Sequence, residues 1–318
     1  LSGEIKVLVY GDLLLDVLFY LERPSIDGRA HVVERAVLAP GGSAGNVSVA
    51  LARLGALATL VSAVGADPIG QYLVNKLVES GVDVRFVEVI PELPTGVTVG
   101  FVEPGGERTL FTFKGASRRN VVSEERLGKI LSTRERFDAL FISAYTVYND
   151  DGGLSGLKLA RELSSRGVRV AIDLGGLTRE HASYLDALKG LVDYVFLNRD
   201  ELLEITSVDD VEEGVEVLYS SLQPEAIFLK LGGEGCMVYT SGGRLRVSAY
   251  RVLVVDTTGC GDVFDAGVIY GLLSGGSLED AVKMGSLLAA YKATGYGAQH
   301  LPKSLEELLE FKRRVEAN

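Results

Sequence analysis

The sequence predicts an α/β protein built on a parallel sheet, with a smaller β-sheet attached to it. Three observations carry that reading. From Val121 onward, short apolar runs (Leu140–Ser143, Val168–Ile172, Tyr194–Leu197, Ile227–Leu231) alternate with helical stretches such as Leu154–Leu163 and Thr178–Leu188, the rhythm of βαβ units. The first run, Ile5–Tyr10, is apolar up to Gly11, as a central parallel strand is. Two alternating runs, Thr95–Val102 and Arg108–Phe113, flank Pro104-Gly105-Gly106, a hairpin signal outside that rhythm.

In chain order, Ile5–Tyr10 is the first strand, and Gly11-Asp12 opens a segment that reaches Asp16. A strand closing on Gly and Asp commonly feeds a ligand crevice in a doubly wound sheet; a polar turn is the plainer alternative. His31–Leu38 alternates in part and reads as a half-exposed strand. Pro40-Gly41-Gly42-Ser43-Ala44-Gly45-Asn46 leads into Val47, Val49, Ala50, Leu51 and Leu54, a helix that Gly55 stops. Glycines there let a ligand approach, and Asn46 offers both a donor and an acceptor, yet locally the segment also fits a capped helix start. Thr59–Val64 is a further strand. Asp67-Pro68 starts a helix running to Ser80, with the acid as cap and proline in first position. The Thr95–Phe113 hairpin, with the segments near Asp16 and His31, makes the small sheet.

Asn198 and Glu201 follow the Tyr194–Leu197 strand and share a helix face. A cap with a first-turn acid explains them locally. Lys230-Leu231-Gly232-Gly233-Glu234-Gly235 closes the next strand, where Lys230 faces either a phosphate or solvent. Its spacing is not G-x-G-x-x-G, so there is no dinucleotide fingerprint, and the absence of G-x-x-x-x-G-K-[ST] excludes a P-loop NTPase. Val252–Val255 reads as a buried strand, Leu278–Ala293 as a buried helix, Gly295–Gln299 as a Gly-rich loop and Leu305–Val315 as an amphipathic terminal helix. His31, His181 and His300 fall in no metal or triad pattern and fit the surface.

Composition bounds the function. The 318 residues suffice for one large α/β domain or two small ones, no composition break divides them, which favours one, and 47% hydrophobic content supports a sizeable core. A net charge of -11 argues against a general nucleic-acid binder but leaves room for phosphates held by backbone amides or a metal. Cys236 and Cys260 are too few for a disulfide framework or a zinc spacing, which points to a reducing compartment. No run approaches the roughly 20 apolar residues of a membrane span, and Leu1–Lys6 lacks a signal-peptide pattern. The absence of Trp, with few Asn, Gln, Met and Cys, leans towards a thermophile.

The most informative stretch is Asp256–Gly267, DTTGCGDVFDAG. Val263, Phe264, Val268 and Ile269 mark a helix whose first amides have no intrahelical partner and sit at the positive end of its dipole, a place for a phosphate. Asp262 puts a carboxylate beside it. A carboxylate repels a phosphate, so binding alone would not choose one. Phosphoryl transfer needs both, amides for the developing charge and a base for the attacking hydroxyl. Locally, Asp262 also fits as a cap on a Gly-rich turn.

DTTGCGDVFDAG resembles the C-terminal motif of the ribokinase-like (PfkB) family of sugar and nucleoside kinases, and similar segments follow in family order at Gly11–Asp16, Gly41–Asn46, Asn198–Glu201, Lys230–Gly235 and Gly295–Gln299. The resemblance implies a three-layer α/β/α sandwich with a mostly parallel sheet (residues 1–12, 40–92 and 116–318) and a β-sheet lid (13–39 and 93–115). It implies Asp262 as catalytic base with Gly259, Cys260 and Gly261 as anion hole, and Asp12, Asp16, Gly42 and Asn46 on the acceptor. Asn198, Lys230, Gly232, Gly235 and Gly297 would lie along the nucleotide. Mg²⁺ would be held through water by Asn198 and Glu201, and a monovalent cation such as K⁺ by Asp256 and Thr258. The implied reaction moves the γ-phosphoryl of ATP to a sugar hydroxyl in the cytoplasm, in a homodimer joined through the lid.

The chain departs from the family pattern at several places. Asp265 and Cys260 stand where Asn and Ala are common, and Leu14, Tyr145 and Ser286 where ribokinase has Asn, Glu and His. Asp173-Leu174-Gly175-Gly176-Leu177 lacks the Asn and Arg of sugar-acid kinases. Phe111, Phe113 and Tyr145 could form an aromatic wall, which keeps a nucleoside acceptor open; a catalytically silent nucleotide-binding regulator is the reading from another class.

Overall fold

The computed structural model describes residues 4–22, 31–103, 108–133 and 136–317. The chain opens with β1 (Lys6–Tyr10), β2 (Leu14–Tyr20), β3 (Arg35–Gly41), α1 (Ser43–Leu54), β4 (Leu57–Gly65), α2 (Pro68–Glu79), β5 (Asp83–Ile90), β6 (Val97–Val102) and β7 (Arg108–Phe113). The regular alternation follows: α3 (Glu124–Leu131), β8 (Ala139–Ser143), α4 (Leu154–Ser164), β9 (Arg169–Asp173), α5 (Ala182–Ala187), β10 (Tyr194–Asn198), α6 (Arg199–Thr206), α7 (Val211–Leu222) and β11 (Ala226–Lys230). Two strands, β12 (Cys236–Thr240) and β13 (Gly243–Val247), and three helices, α8 (Cys260–Leu273), α9 (Leu278–Ala293) and α10 (Leu305–Glu316), complete it.

The main sheet has nine strands in the order β13-β12-β11-β10-β9-β8-β1-β4-β5. From β11 to β5 all neighbours are parallel, and β12 and β13 continue antiparallel at one edge. Side chains alternate across it: Val7 and Val9 join the core formed with α1, α8 and α9, while Leu8 and Tyr10 join the core on the other face. This is the three-layer α/β/α sandwich, with both faces of a parallel sheet covered. The chain runs from β1 to β4 on one side and later returns to β8 on the other, so the order reverses between β1 and β8. Such a switch point opens a crevice at the carboxyl ends of the strands.

A second sheet, β3-β2-β6-β7, stands beside that crevice. Its register pairs Asp16 with Thr98 and Thr98 with Thr112, which puts the three side chains in one row on one face.

Two expected elements differ. Val252–Val255 is not a buried strand: Leu253 is 86% exposed, and the chain is held instead by Val255 and Asp256 N–H groups donating to the Ala293 carbonyl at the end of α9. A short apolar run cannot by itself distinguish a strand from a loop with exposed apolar side chains. The strand expected at His31–Leu38 begins only at Arg35, where pairing with β2 starts. The Pro104-Gly105-Gly106 turn lies outside the described residues, though β6 and β7 pair as the hairpin requires. Among the histidines, His300 is half-buried and stacks on Tyr291.

Candidate active site at the switch point

A cleft of about 830 Å³ lies between the carboxyl ends of the main-sheet strands and the four-stranded sheet. Asp12, Asp16, Gly42, Asn46, Asn198, Glu201, Lys230, Gly232, Thr258 and the run Gly259–Asp262 line it. Thus most of the residues singled out in the sequence converge. Gly235 and Gly297 do not line it. The Gly235 backbone packs against the Val247 carbonyl, where an added Cβ would come within 2.0 Å, and Gly297 N–H donates to Asp256 at 2.8 Å.

The end of α8 forms one wall. Gly259, at φ +76°, is the N-cap and makes no side-chain cap bond, so the first-turn amides are left for a ligand. Cys260 is the exception: its N–H turns back to the Thr257 carbonyl at 3.1 Å, which leaves Gly261 and Asp262 to present theirs. Asp262 is half-buried, and burial raises its carboxyl above the ordinary range while the Asn46 amide, donating to Oδ2 at 2.8 Å, pulls it back down. Gln299 in turn donates to Asn46 Oδ1 at 3.4 Å.

Asn46 reaches Asp262 because α1 starts tightly. Gly42 has φ +82°, and a Cβ there would lie 2.5 Å from the Asp12 carbonyl. At Gly41 a Cβ would overlap the Asp16 carboxylate at 2.1 Å, so that position has room only for glycine while Asp16 faces the cleft. Burial, then the charges of Asp262 and Asp256, push Asp16 up to about 7. Asp12 is raised by burial and partly restored by Lys114, whose ammonium lies 3.0 Å from Oδ2. The other oxygen, Asp12 Oδ1, is buried without a hydrogen-bond partner.

On the far side, Asn198 and Glu201 form a reciprocal capping box: Asn198 Oδ1 accepts from Glu201 N–H at 2.9 Å, and Glu201 Oε2 accepts from Asn198 N–H at 2.7 Å. Among the described residues, no group of three His, Cys, Asp or Glu is placed to hold a metal directly. Lys230 is neither free nor exposed. Its ammonium is paired with Asp173 and, at 3.2 Å, with Asp265. Burial pulls Lys230 down, but the two carboxylates outweigh it and hold it well above its usual value. Burial raises Asp265 strongly, whereas Asp173 is held low because Lys230 overcomes its own burial.

The aromatic wall is smaller than expected. Along β7, Leu110 and Thr112 face the cleft, so Phe111 and Phe113, each 58% exposed, face outward by the two-residue period. Tyr145 and Tyr148 do line the cleft. Sequence reasoning missed Lys114, Asp173 and Arg108, whose guanidinium donates to Thr257 at 3.0 Å across from β7. Asp173 and Lys114 stand at the end of a strand or just past it, the position that signalled Asp12 and Lys230, whereas Arg108 opens β7 and carries no such signal.

A profile of the pfkB family carbohydrate kinases matches residues 4–304. The chain belongs to that family. It is therefore a sugar or nucleoside kinase of the pfkB type, a phosphotransferase with an alcohol group as acceptor. Among its relatives is the ribokinase of Haemophilus influenzae, 29% identical over 280 residues that span 86% of this chain and 87% of the relative. The fructokinase of Salmonella typhimurium is 28% identical, over 92% of this chain and 94% of its own. The structure of Arabidopsis thaliana ribokinase complexed with ribose and ATP superimposes with a TM-score of 0.81, at 22% identity, covering 97% of this chain and 99% of the other, a likeness of fold.

Proposed function

We propose that this pfkB kinase transfers the γ-phosphoryl group of ATP to a hydroxyl of a sugar-type acceptor, with Asp262 as the base. The observation that carries the reading is that Asp262 and Gly261 line the same cleft at the start of α8, with no backbone partner for either amide among the described residues. A hydroxyl lying against Asp262 gives up its proton there, and the amides stabilise charge on the transferred group. A positioned base of this kind contributes about 10²–10⁴ in rate.

A polyhydroxylated acceptor is supported by the polar row that faces it. Asp12, Asp16, Asn46, Thr98 and Thr112 line one end of the cleft, and the unpartnered Asp12 oxygen wants a donor such as a sugar hydroxyl. Nucleosides remain the alternative acceptor within the family. On this reading Gly232 and Lys230, which line the cleft, border the nucleotide, with Lys230 acting from within its pair of carboxylates rather than as a free phosphate ligand.

Magnesium fits the opposite wall. A Cβ built on Gly175 would meet Asp173 Oδ1 at 2.8 Å and Glu201 Oε1 at 3.3 Å, so two carboxylates converge there. Glu201, oriented by the Asn198 cap, would hold the ion through its waters, and the ion would add positive charge at the donor phosphates. The four-stranded sheet acts as the lid. Its outer face, with Phe111 and Phe113 exposed and Phe101 edge-on to Phe111 at 6.4 Å, is the proposed homodimer surface.

An ADP-release assay with Mg²⁺-ATP over a panel of sugars, sugar phosphates, sugar acids and nucleosides tests the reading. Acceptor-dependent turnover with at least one neutral sugar is expected. Turnover confined to nucleosides moves the assignment to the alternative, and ATP binding with no turnover on any acceptor makes the chain a silent regulator.

A further inference from the structure

Lys292 is the one feature of this region that neither the motif nor the proposed chemistry absorbs. It sits in the last turn of α9, in the apolar and small-residue half of that helix, and is 0% exposed. Its ammonium donates to the main-chain carbonyl of Asp256 at 2.6 Å and lies 3.8 Å from Asp256 Oδ2. Asp256 is also 0% exposed. Its carboxylate is already surrounded by donors: Thr258 N–H on Oδ1 at 2.8 Å, and Gly297 N–H at 2.8 Å with the Tyr20 hydroxyl at 2.6 Å on Oδ2.

At the expected cation site the Thr258 hydroxyl oxygen is buried without a partner, but the Asp256 oxygens do not suit a bound monovalent cation. Potassium needs several oxygens facing it, and here the Asp256 carbonyl faces an ammonium while both carboxylate oxygens face N–H or O–H groups. A buried carboxylate needs a counter-charge, and Lys292 already delivers one. A second cation alongside would place two like charges a few ångströms apart in a site that water does not screen, with the Arg108 guanidinium also nearby.

We propose that Lys292 is a tethered substitute for the monovalent cation, a positioning residue that neutralises Asp256 and holds the Asp256–Asp262 segment against α9 without potassium. The consequence reaches the active site through the chain itself, because Asp256 fixes Thr258 and so the turn that ends in the Gly261 and Asp262 amides. A lysine ammonium suits this use: a compact point charge with three donors, whose stem can lie along apolar surface.

The test compares full-length protein in tetramethylammonium, sodium and potassium chloride at one ionic strength of about 0.15 M. Thermal unfolding is followed without nucleotide, and Mg²⁺-ADP binding by calorimetry. The wild type is expected to show the same Tm and the same ADP affinity, within about 2-fold, in all three salts, since an ion that does not bind the native state cannot stabilise it. Lys292→Met is expected to lose Tm and at least ~10-fold in ADP affinity in tetramethylammonium, and to recover part of both as potassium is added. A saturable rise in wild-type Tm or ADP affinity with potassium overturns the proposal. So does a Lys292→Met protein that is unaffected, or one destabilised alike in every salt, which is how a merely structural lysine behaves. If that variant does not fold, the wild-type comparison decides alone. The nucleotide arm rests on the kinase reading: a wild type that binds no ADP in any salt counts against that reading, and the thermal arm still judges Lys292.

Discussion

The Asn46 side-chain amide donates to Asp262 Oδ2 at 2.8 Å although 216 residues separate the two. The bond favours the ionised carboxylate, the form a base needs, against a burial that favours the neutral one.

Asp262→Asn should therefore lower kcat by about 10²–10⁴ while ADP still binds. The pH profile adds a sharper reading. Burial holds the Asp262 carboxyl above its ordinary range, so activity is lost as pH falls through that raised value. Asn46→Ala removes the donor that lowers it, and the acid limb of kcat should move to higher pH. A limb that stays in place would detach Asn46 from the base.

Asp16 gives a stability test. Its value of about 7 compares with an ordinary 3.8, so between those pH values the folded protein keeps a proton that the unfolded chain has released. Stability is lost as pH rises through that window, and above it the ionised group is a net cost. Asp16→Asn should raise Tm at about pH 8 by several degrees and change it little at about pH 4, while weakening the acceptor. Thermal scans at both pH values check the difference.

Lys230 serves two carboxylates at once. Lys230→Met leaves Asp173 and Asp265 buried without their cation and should cost roughly 3–5 kcal/mol in urea denaturation. The loss should grow as pH rises, because the carboxyls then ionise. Adding Asp173→Asn and Asp265→Asn to the same chain should restore most of it. A triple variant no better than the single one would mean that the lysine matters for packing, not charge.

Helices α8 and α9 meet backbone to backbone. A Cβ on Gly267 would lie 2.6 Å from Gly285 Cα. Gly267→Ala should destabilise by about 1–3 kcal/mol through overpacking. Gly128→Ala in α3, where nothing lies within 4 Å, should be neutral or stabilise by roughly 0.5–1 kcal/mol. Chemical denaturation of the two variants side by side makes the comparison.

The interior of the main sheet was legible because parallel strands buried on both faces are continuous apolar runs, as in β8 and β11. The edges were not. β5 carries Asp83, Arg85 and Glu88 among half-buried residues, and β12 and β13 follow a glycine turn with no helix between them. Among site residues, those on glycine-rich turns and helix starts could be read, since the turn itself is the signal. Lys114 and Lys292 could not: a single cation after a strand or within an apolar helix looks like any solvent-seeking lysine until its partner, distant in sequence, is placed beside it.

Asp12, Asp16 and Asp262 crowd the same end of the cleft. Neutral hydroxyls are welcome there as donors to these oxygens. The ester made from one of them is another matter, for it brings a dianion up to acids of which Asp12 already engages Lys114. On the proposed chemistry, repulsion from these acids favours release of the finished compound.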